Sequence, residues 1–505
     1  MKLQKQLLVC LLAVFGNCFM NSCQDDHEEV LIPEQPSEED PSSGIPEEIR
    51  SGTRLAADLL NIYYVWNKEI EKDLPRLNPD TCTNPFQVVY DLRYSDPATG
   101  VKDKWTFMTN DLNSLQESIE GIETTYGMMY KVGKTPQGAA NYLVAAVVYD
   151  DSPAAKAGLQ RGDIIALING KAVSDESMKE MSQQSSVSLT TGRLKDGQLV
   201  PDGQTHQLTA VKMYTSPVLH HQIYEVNGKK VGYLCYSSFD LESAGKLIDI
   251  CKEFKAAGIE ELILDLRYNG GGYVVTEMVL ASMLAPEAVA HNPKAVFERE
   301  QYNSVLMDAF AKEGYSTETY FRTSWNYTQE KNGIDFVHDT SDANIGLQKI
   351  YGLITANSAS ASEALLGGLM PYMEVETIGT NSHGKYCTGK LLSPADIYSK
   401  YNTAIKDWGM YVMISIYQNS KGETPCMPNG IVPDKEVNEG IDLVPWGDER
   451  DPLLRAALES AGKVYEVSAS DRSASQRGVL VRDIPHNAVF GKRIALPVLM
   501  NTKVY

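Results

Sequence analysis

Between about residue 216 and residue 416, short apolar runs of strand length alternate with longer runs that carry a helical apolar period. No other feature restricts the fold as much. The strand candidates are 231–236, 262–266, 350–355, 375–379 and 411–416, and the helix candidates among them are 241–257, 275–284 and 360–370. A glycine triplet, Gly270-Gly271-Gly272, stands between the second strand and the second helix. Strands that are apolar along their length bury both faces, which requires helices packed on the sheet. This part of the chain is therefore expected to be an α/β domain. Residues 285–348 are polar and Tyr-rich and give no clear pattern. Past Gly462 there is no helical period, only short strand-like runs such as Val479-Leu480-Val481.

A chain of 505 residues has room for about three domains. Its 46 Lys plus Arg stand against 66 Asp plus Glu, a net charge of −20 with no basic block, so no nucleic-acid partner is expected. The charge is concentrated. Residues 24–48 hold ten acids, no Lys or Arg, and Pro33, Pro36, Pro41 and Pro46. Self-repulsion and proline stiffness make 23–48 an extended tether. Ahead of it, Lys2 and Lys5 precede an apolar run at 7–15. A spanning helix takes about 20 apolar residues, so 1–22 reads as a secretory signal. Met20-Asn21-Ser22-Cys23 resembles a bacterial lipobox, which implies lipidation of Cys23. The acidic run after it is similar to the surface-export signal of some lipoproteins. The expected location is the cell envelope, anchored by lipid to the outer membrane, on its periplasmic face or at the cell surface.

Residues 49–112 open with Leu55, Leu59, Leu60, Tyr63, Tyr64 and Trp66 at three-to-four spacing, and Pro75, Pro79 and Pro85 break the stripe. A small helical cap is expected. Residues 113–215 differ. A buried strand candidate at 142–148 leads into SPAAKAGLQRGDIIALINGK, from Ser152 to Lys171. Its Ala-rich helix is closed by Gly158, 164–168 is a strand, and Asn169-Gly170 is a hairpin turn. This order resembles the PDZ domains of bacterial proteases. The resemblance implies a carboxylate-binding loop in which Gly127, Met128, Met129 and Tyr130 hold a peptide C-terminus while the peptide adds a strand to the sheet edge. Met129 stands where the family usually has a second glycine.

Three segments at strand ends can carry chemistry. LDLRYNGGG (264–272) lets backbone N–H groups approach a ligand closely. NSASASEA (357–364) is a strand-to-helix junction in which Ser360 and Glu363 fit a capping box. GTNSHGK (379–385) is a further post-strand loop. Each alone has an ordinary use as a turn, a helix start or a solvated lysine. In this order, downstream of a PDZ-like segment and with 25 residues from Ser360 to Lys385, they resemble the C-terminal processing (tail-specific) serine peptidases. Segments 430–434 and 448–452 fit as well, so the resemblance covers roughly residues 50–465.

The resemblance implies an α/β catalytic domain of the crotonase/Clp-like type at 216–465, a PDZ domain at 113–215 and a small N-terminal helical domain, with 466–505 unassigned. It makes Ser360 the nucleophile and Lys385 the general base. Glu363 is a helper that either orients Lys385 or caps the helix. Ala361, with Gly271 or Gly272, supplies the oxyanion hole. Serine is a weak nucleophile until a base takes its proton, and lysine serves only when neutral, at a cost of roughly 4 kcal/mol at pH 7. A helix N-terminus beside Ser360 favours the developing oxyanion. Implied substrates are proteins or peptides with free, apolar C-termini, and no cofactor is implied.

The chain also departs from the family. Gly389 occupies the place of a glutamine that some relatives carry four residues after the lysine, and Pro371 that of an acid in others. His383 replaces an aromatic residue and is the rival base. There is no G-x-S-x-G elbow, and neither the histidines nor Cys82, Cys235, Cys251, Cys387 and Cys426 show metal-ligand spacing. Two alternatives remain: a non-catalytic peptide-binding lipoprotein, and a hydrolase or binder of another ligand on the same fold.

Overall fold

The computed structural model describes residues 44–329, 334–465, 478–483 and 493–494. The signal, Cys23 and most of the tether lie outside the described residues. The last two tether acids do not: Glu47 and Glu48 open helix α1 (Glu47–Tyr63). Carboxylates are favoured at that end by the helix dipole, and Glu48 accepts a hydrogen bond from the Trp408 indole at 3.1 Å.

The N-terminal region is not purely helical. After α1 and α2 (Pro85–Asp91), strand β1 (Phe107–Thr109) pairs antiparallel with residues 409–411 of the downstream domain. Leu55, Leu59, Leu60 and Tyr63 on α1 share one core with Phe297, Met410 and Val412. An amphipathic helix needs a partner surface for its stripe, and here the downstream α/β domain supplies it.

The PDZ segment forms an antiparallel sheet of β2 (Met128–Lys134), β3 (Asn141–Val148), β4 (Ile164–Ile168), β5 (Ser186–Lys195) and β6 (Gln198–Thr209), in that order. Helix α3 (Asp175–Gln183) buries Met178 and Met181 in a core with Val132, Leu143, Ile165 and Leu189. The Ala-rich helix is one turn, Pro153–Lys156, capped by the Ser152 hydroxyl. Met128, Met129 and Tyr130, expected in the carboxylate loop, lie in β2. Of the four candidates only Gly127 precedes the strand, because the sheet pairing begins at Met128↔Val148.

The α/β expectation holds from β7 (Val218–Val226) onward. One sheet has the order β7, β8 (Lys229–Tyr236), β9 (Glu261–Asp265), β10 (Lys349–Ile354), β11 (Glu374–Gly379) and β12 (Lys435–Glu436). After the antiparallel first pair every neighbour is parallel. Helices α4 (Ser243–Ala257), α5 (Val274–Leu284) and α6 (Ala361–Leu369) contribute to the main core, and α7 (Pro452–Ser460) buries Leu453, Leu454 and Ala457 against Tyr233, Ile263 and Tyr351.

A second sheet contains residues 272–273, 387–392, 409–419 and 296–302, with 318–320 at its edge. The polar segment 285–348 therefore supplies edge strand Glu318–Tyr320 and its inner neighbour Val296–Tyr302, helix Ser304–Glu313 and the hairpin Ser324–Gln329/Ile334–Asp339. An edge strand is only half-covered, so it lacks the apolar run by which a buried strand is recognised.

Candidate active site

Parallel neighbours β9, β10 and β11 each run at their C-terminal ends into one of the three segments singled out from sequence: 266–272, 355–360 and 380–385. Open α/β sheets present their ligand sites at this edge. The small polar residues of the second segment stitch it to the first. Ser358 Oγ donates to Leu266 O at 2.7 Å, Ser362 Oγ to Asn269 O at 2.9 Å, and Ala359 N–H to Asn269 O at 3.0 Å.

Held in this way, Ser360 adopts φ +65° and ψ −115°, a backbone conformation unfavourable for a residue with a Cβ. Its side chain is fully buried, and its Oγ has no hydrogen-bond partner among the described residues. Ala361 begins α6, where a first-turn N–H has no acceptor within the helix.

Glu363 is also fully buried and joins the second and third segments. Its Oε2 accepts the N–H groups of both Ser360 and Lys385, each at 2.8 Å, and its Oε1 accepts Gly384 N–H at 2.6 Å and the Ser382 hydroxyl at 2.5 Å. Burial pushes its carboxyl up, and these four donors pull the other way. Tyr417 ties the same two residues: its hydroxyl donates to Lys385 O at 2.7 Å and lies 3.5 Å from Ser360 O.

Lys385 is fully buried. Its Nζ donates to Cys387 O at 2.9 Å and to Tyr411 Oη at 3.4 Å, and it lies 5.5 Å from the ring centroids of Trp105 and Tyr411. The His383 ring stands edge-on to Trp105, 6.3 Å away, and the backbone N–H of His383 donates to Ser358 O at 2.9 Å. Neither Lys385 nor His383 is hydrogen-bonded to Ser360 Oγ.

The glycine loop separates its two oxyanion candidates. Gly271 N–H is donated to Asn269 Oδ1 at 2.9 Å, so in this arrangement Gly271 has no N–H to offer. Gly272 has φ +145°, and a Cβ there would lie 2.3 Å from Phe239 O, so only glycine fits. Gly389, standing where relatives carry glutamine, also has a reason. A Cβ on it would meet the Tyr411 ring at 2.3–2.5 Å, so the phenol that touches Lys385 fills the space that a side chain at 389 would need. Tyr411, Tyr417 and Trp105 gave no sequence signal because each comes from a segment remote from the motifs. Lys390 was also passed over: it is buried, and burial pushes its amine down to about 8 while Asp396 opposes.

Residues 230–437 match the model of peptidase family S41, and residues 144–185 match a PDZ domain model. The chain is similar to the C-terminal processing peptidases. It is 24% identical over 456 residues to the carboxy-terminal-processing protease of Bartonella bacilliformis, covering 84% of this chain and 92% of the relative. It is 24% identical over 272 residues to a protein of Staphylococcus aureus described as a CtpA-like serine protease; there the match spans 53% of this chain and 46% of the relative. A Bacteroides fragilis crystal structure described as that of an S41 protease is similar in fold, with a TM-score of 0.63, 23% identity and coverage of 81% of this chain and 97% of that one.

In this chain the PDZ unit and the S41-like unit meet at a buried charge cluster. Arg161 and Lys131 of the PDZ unit reach Glu439 of the peptidase unit, at 2.7 and 2.5 Å. Arg267, between the DLR strand and the glycines, donates to Glu439 at 2.8 Å, to Asp451 at 2.6 Å and to Asp265 at 2.6 Å. Burial alone would raise the Glu439 carboxyl, but the charges of Arg267, Lys131 and Arg161 hold it well below the usual carboxylate range. The PDZ sheet that contains β2 and the glycine loop that follows β9 therefore share one electrostatic joint.

Proposed function

We propose that the chain is a serine endopeptidase that takes protein or peptide substrates by an apolar C-terminal tail and cleaves them with Ser360 and Lys385. The supporting observation is the Glu363 clasp, with both N–H groups on one carboxylate oxygen beside an unpartnered serine hydroxyl. Complete burial of Lys385 supports the reading as well, because it is the setting in which an amine gives up its proton most readily. Lys385 Nζ takes the Ser360 proton as Oγ adds to the scissile carbonyl. The oxyanion forms at the start of α6, near Ala361 N–H. Collapse sends the proton from Lys385 to the leaving amine, and water then hydrolyses the acyl-enzyme with Lys385 again as base. Glu363 acts as a positioning residue through the backbone. The lipid anchor at Cys23 and the envelope location belong to the same proposal and rest on the sequence of residues 1–23 and the acidic run that follows.

The non-catalytic reading draws on one observation: Lys385 Nζ is bonded to Cys387 O and Tyr411 Oη instead of Ser360 Oγ. One experiment separates the two. Purified full-length protein, Ser360→Ala and Lys385→Ala are incubated with unstructured peptides ending in apolar residues, and products are read by mass spectrometry. The peptidase reading expects cleavage by wild type alone. Absence of product from wild type, with tail-peptide binding retained by Ser360→Ala, establishes the binding protein instead. Activity kept by Lys385→Ala transfers the base role to His383.

A further inference from the structure

Two short pieces of the segment beyond residue 478 pair with the two places where a substrate peptide has to lie. The first, β13 (Val479–Arg482), adds antiparallel to the outer edge of β2, with Val479 opposite Lys134, Leu480 opposite Gly133 and Arg482 opposite Val132. It runs toward Gly127, the direction in which a ligand tail must approach the loop. Arg482 pairs at 2.6 Å with Asp175, the first residue of α3, and Asp483 pairs at 3.1 Å with Lys131 on β2. The strand is thus held by both walls of the groove between β2 and α3. At its start the backbone passes so close to Tyr142 that a Cβ on Gly478 would lie 1.7 Å from the phenol oxygen.

The second piece, Arg493–Ile494, lies within the second catalytic sheet. It pairs parallel with Gly272 and Tyr273 on one side, and Ile494 pairs with Gly389 on the other. These two residues join the glycine-loop strand to strand Cys387–Leu392, which follows Lys385. Ile494 is 5% exposed and belongs to the main core.

We infer that the chain carries its own occupant. Gly478–Asp483 covers the PDZ edge and Arg493–Ile494 covers the catalytic slot as intramolecular ligands, and a substrate displaces them. The inference rests on the peptidase reading and sharpens it. The substrate enters the slot as an extended strand parallel to residues 272–273, with an apolar side chain at the position of Ile494. The Val479–Val481 stretch is apolar yet 39–56% exposed, so it is bound chiefly by main-chain pairing and its flanking ion pairs, an arrangement that a competing peptide can replace.

The test uses full-length protein carrying Ser360→Ala, alone and combined with Ile494→Asp, Gly478→Val or Arg482→Glu. The probe is a fluorescein-labelled peptide with the sequence of residues 478–494, read by anisotropy. A site covered nine-tenths of the time shows an apparent Kd about tenfold weaker than the open site. Ile494→Asp and Gly478→Val should therefore bind the probe about tenfold more tightly than their parent. Arg482→Glu, an exposed change that spares the fold, should give a smaller gain in the same direction. In proteins with Ser360 intact, kcat/KM on an unstructured peptide should rise in parallel. Equal probe affinity in all four proteins overturns the inference. Tighter probe binding without any turnover sustains it and removes the peptidase reading instead.

Discussion

Replacing Glu439 by Gln tests the joint between the two units. Around this carboxylate the described residues place three buried cations, Lys131, Arg161 and Arg267, against three buried anions, Asp265, Glu439 and Asp451. Glutamine keeps the shape but removes one negative charge, and it turns an amide donor toward guanidinium groups that need an acceptor. Breaking a buried pair from one side costs about 3–5 kcal/mol, because the partner charge stays buried and unpaired. That is a large part of the roughly 5–15 kcal/mol by which domains are stable. Thermal melting followed by circular dichroism should show the loss. The double variant Lys131→Met/Glu439→Gln restores the balance and should melt above Glu439→Gln alone. Acid titration adds a sign. The folded Glu439 carboxyl is held below its unfolded value, so its contribution is present above pH about 4.5 and is lost as pH falls below it. That acid-side loss should be weaker in Glu439→Gln. A Glu439→Gln protein melting within a degree of wild type, with the double variant no better, refutes the charge-balance argument.

Tyr411→Phe removes the phenol oxygen that accepts from Lys385, a loss of about 1 kcal/mol, so kcat should fall about fivefold with KM unchanged in steady-state assays. Gly272→Ala drives a Cβ into Phe239 O at a φ that L-residues avoid. A lowered melting temperature and no measurable turnover are expected, with about 1–3 kcal/mol from backbone strain alone. Burial raises the carboxyl of Asp240 to about 7 against the opposing bonds from Ser243 and Tyr214, so the folded state holds its proton more tightly than the unfolded one. Stability from this group is then full below about pH 4 and declines as pH rises toward 7, by at most roughly 4 kcal/mol. In Asp240→Asn the difference in melting temperature between pH 5 and pH 8 should shrink.

The candidates easiest to single out from sequence are those that one short segment carries together. Ser360 and Glu363 lie three residues apart at a strand-to-helix junction, and Gly272 sits at a φ open only to glycine, so their order along the chain is enough to carry the resemblance. The Lys385 environment could not be read in this way. Trp105, Tyr411 and Tyr417 reach it from β1's neighbourhood and from strand Gly409–Asn419, and which side chain of a strand faces a given lysine depends on sheet order and register. The same limit hid the strand in the N-terminal region, whose Phe107–Thr109 becomes a strand only because residues 409–411 offer an edge. Met128–Tyr130 were assigned to a loop because their pairing with β3 is likewise a long-range property.

The sequence by itself determined that buried strands alternate with helices, that a PDZ-like segment precedes them, and that a serine, a glutamate, a lysine and a glycine triplet close the strands. The alternation follows from period and turn chemistry, which act over a few residues, whereas the PDZ-like segment and the serine, glutamate and lysine are picked out by their resemblance to the C-terminal processing peptidases. Only the tertiary structure decided that one glutamate oxygen holds the Ser360 and Lys385 backbones together, that Gly271 spends its N–H on Asn269, and that three cations from two units meet at Glu439. It alone placed Val479–Arg482 on the PDZ edge and Arg493–Ile494 beside Gly272. A two- or four-residue strand has too little apolar pattern to announce its partner; it is selected by the unpaired backbone edge it meets once the rest of the chain has folded.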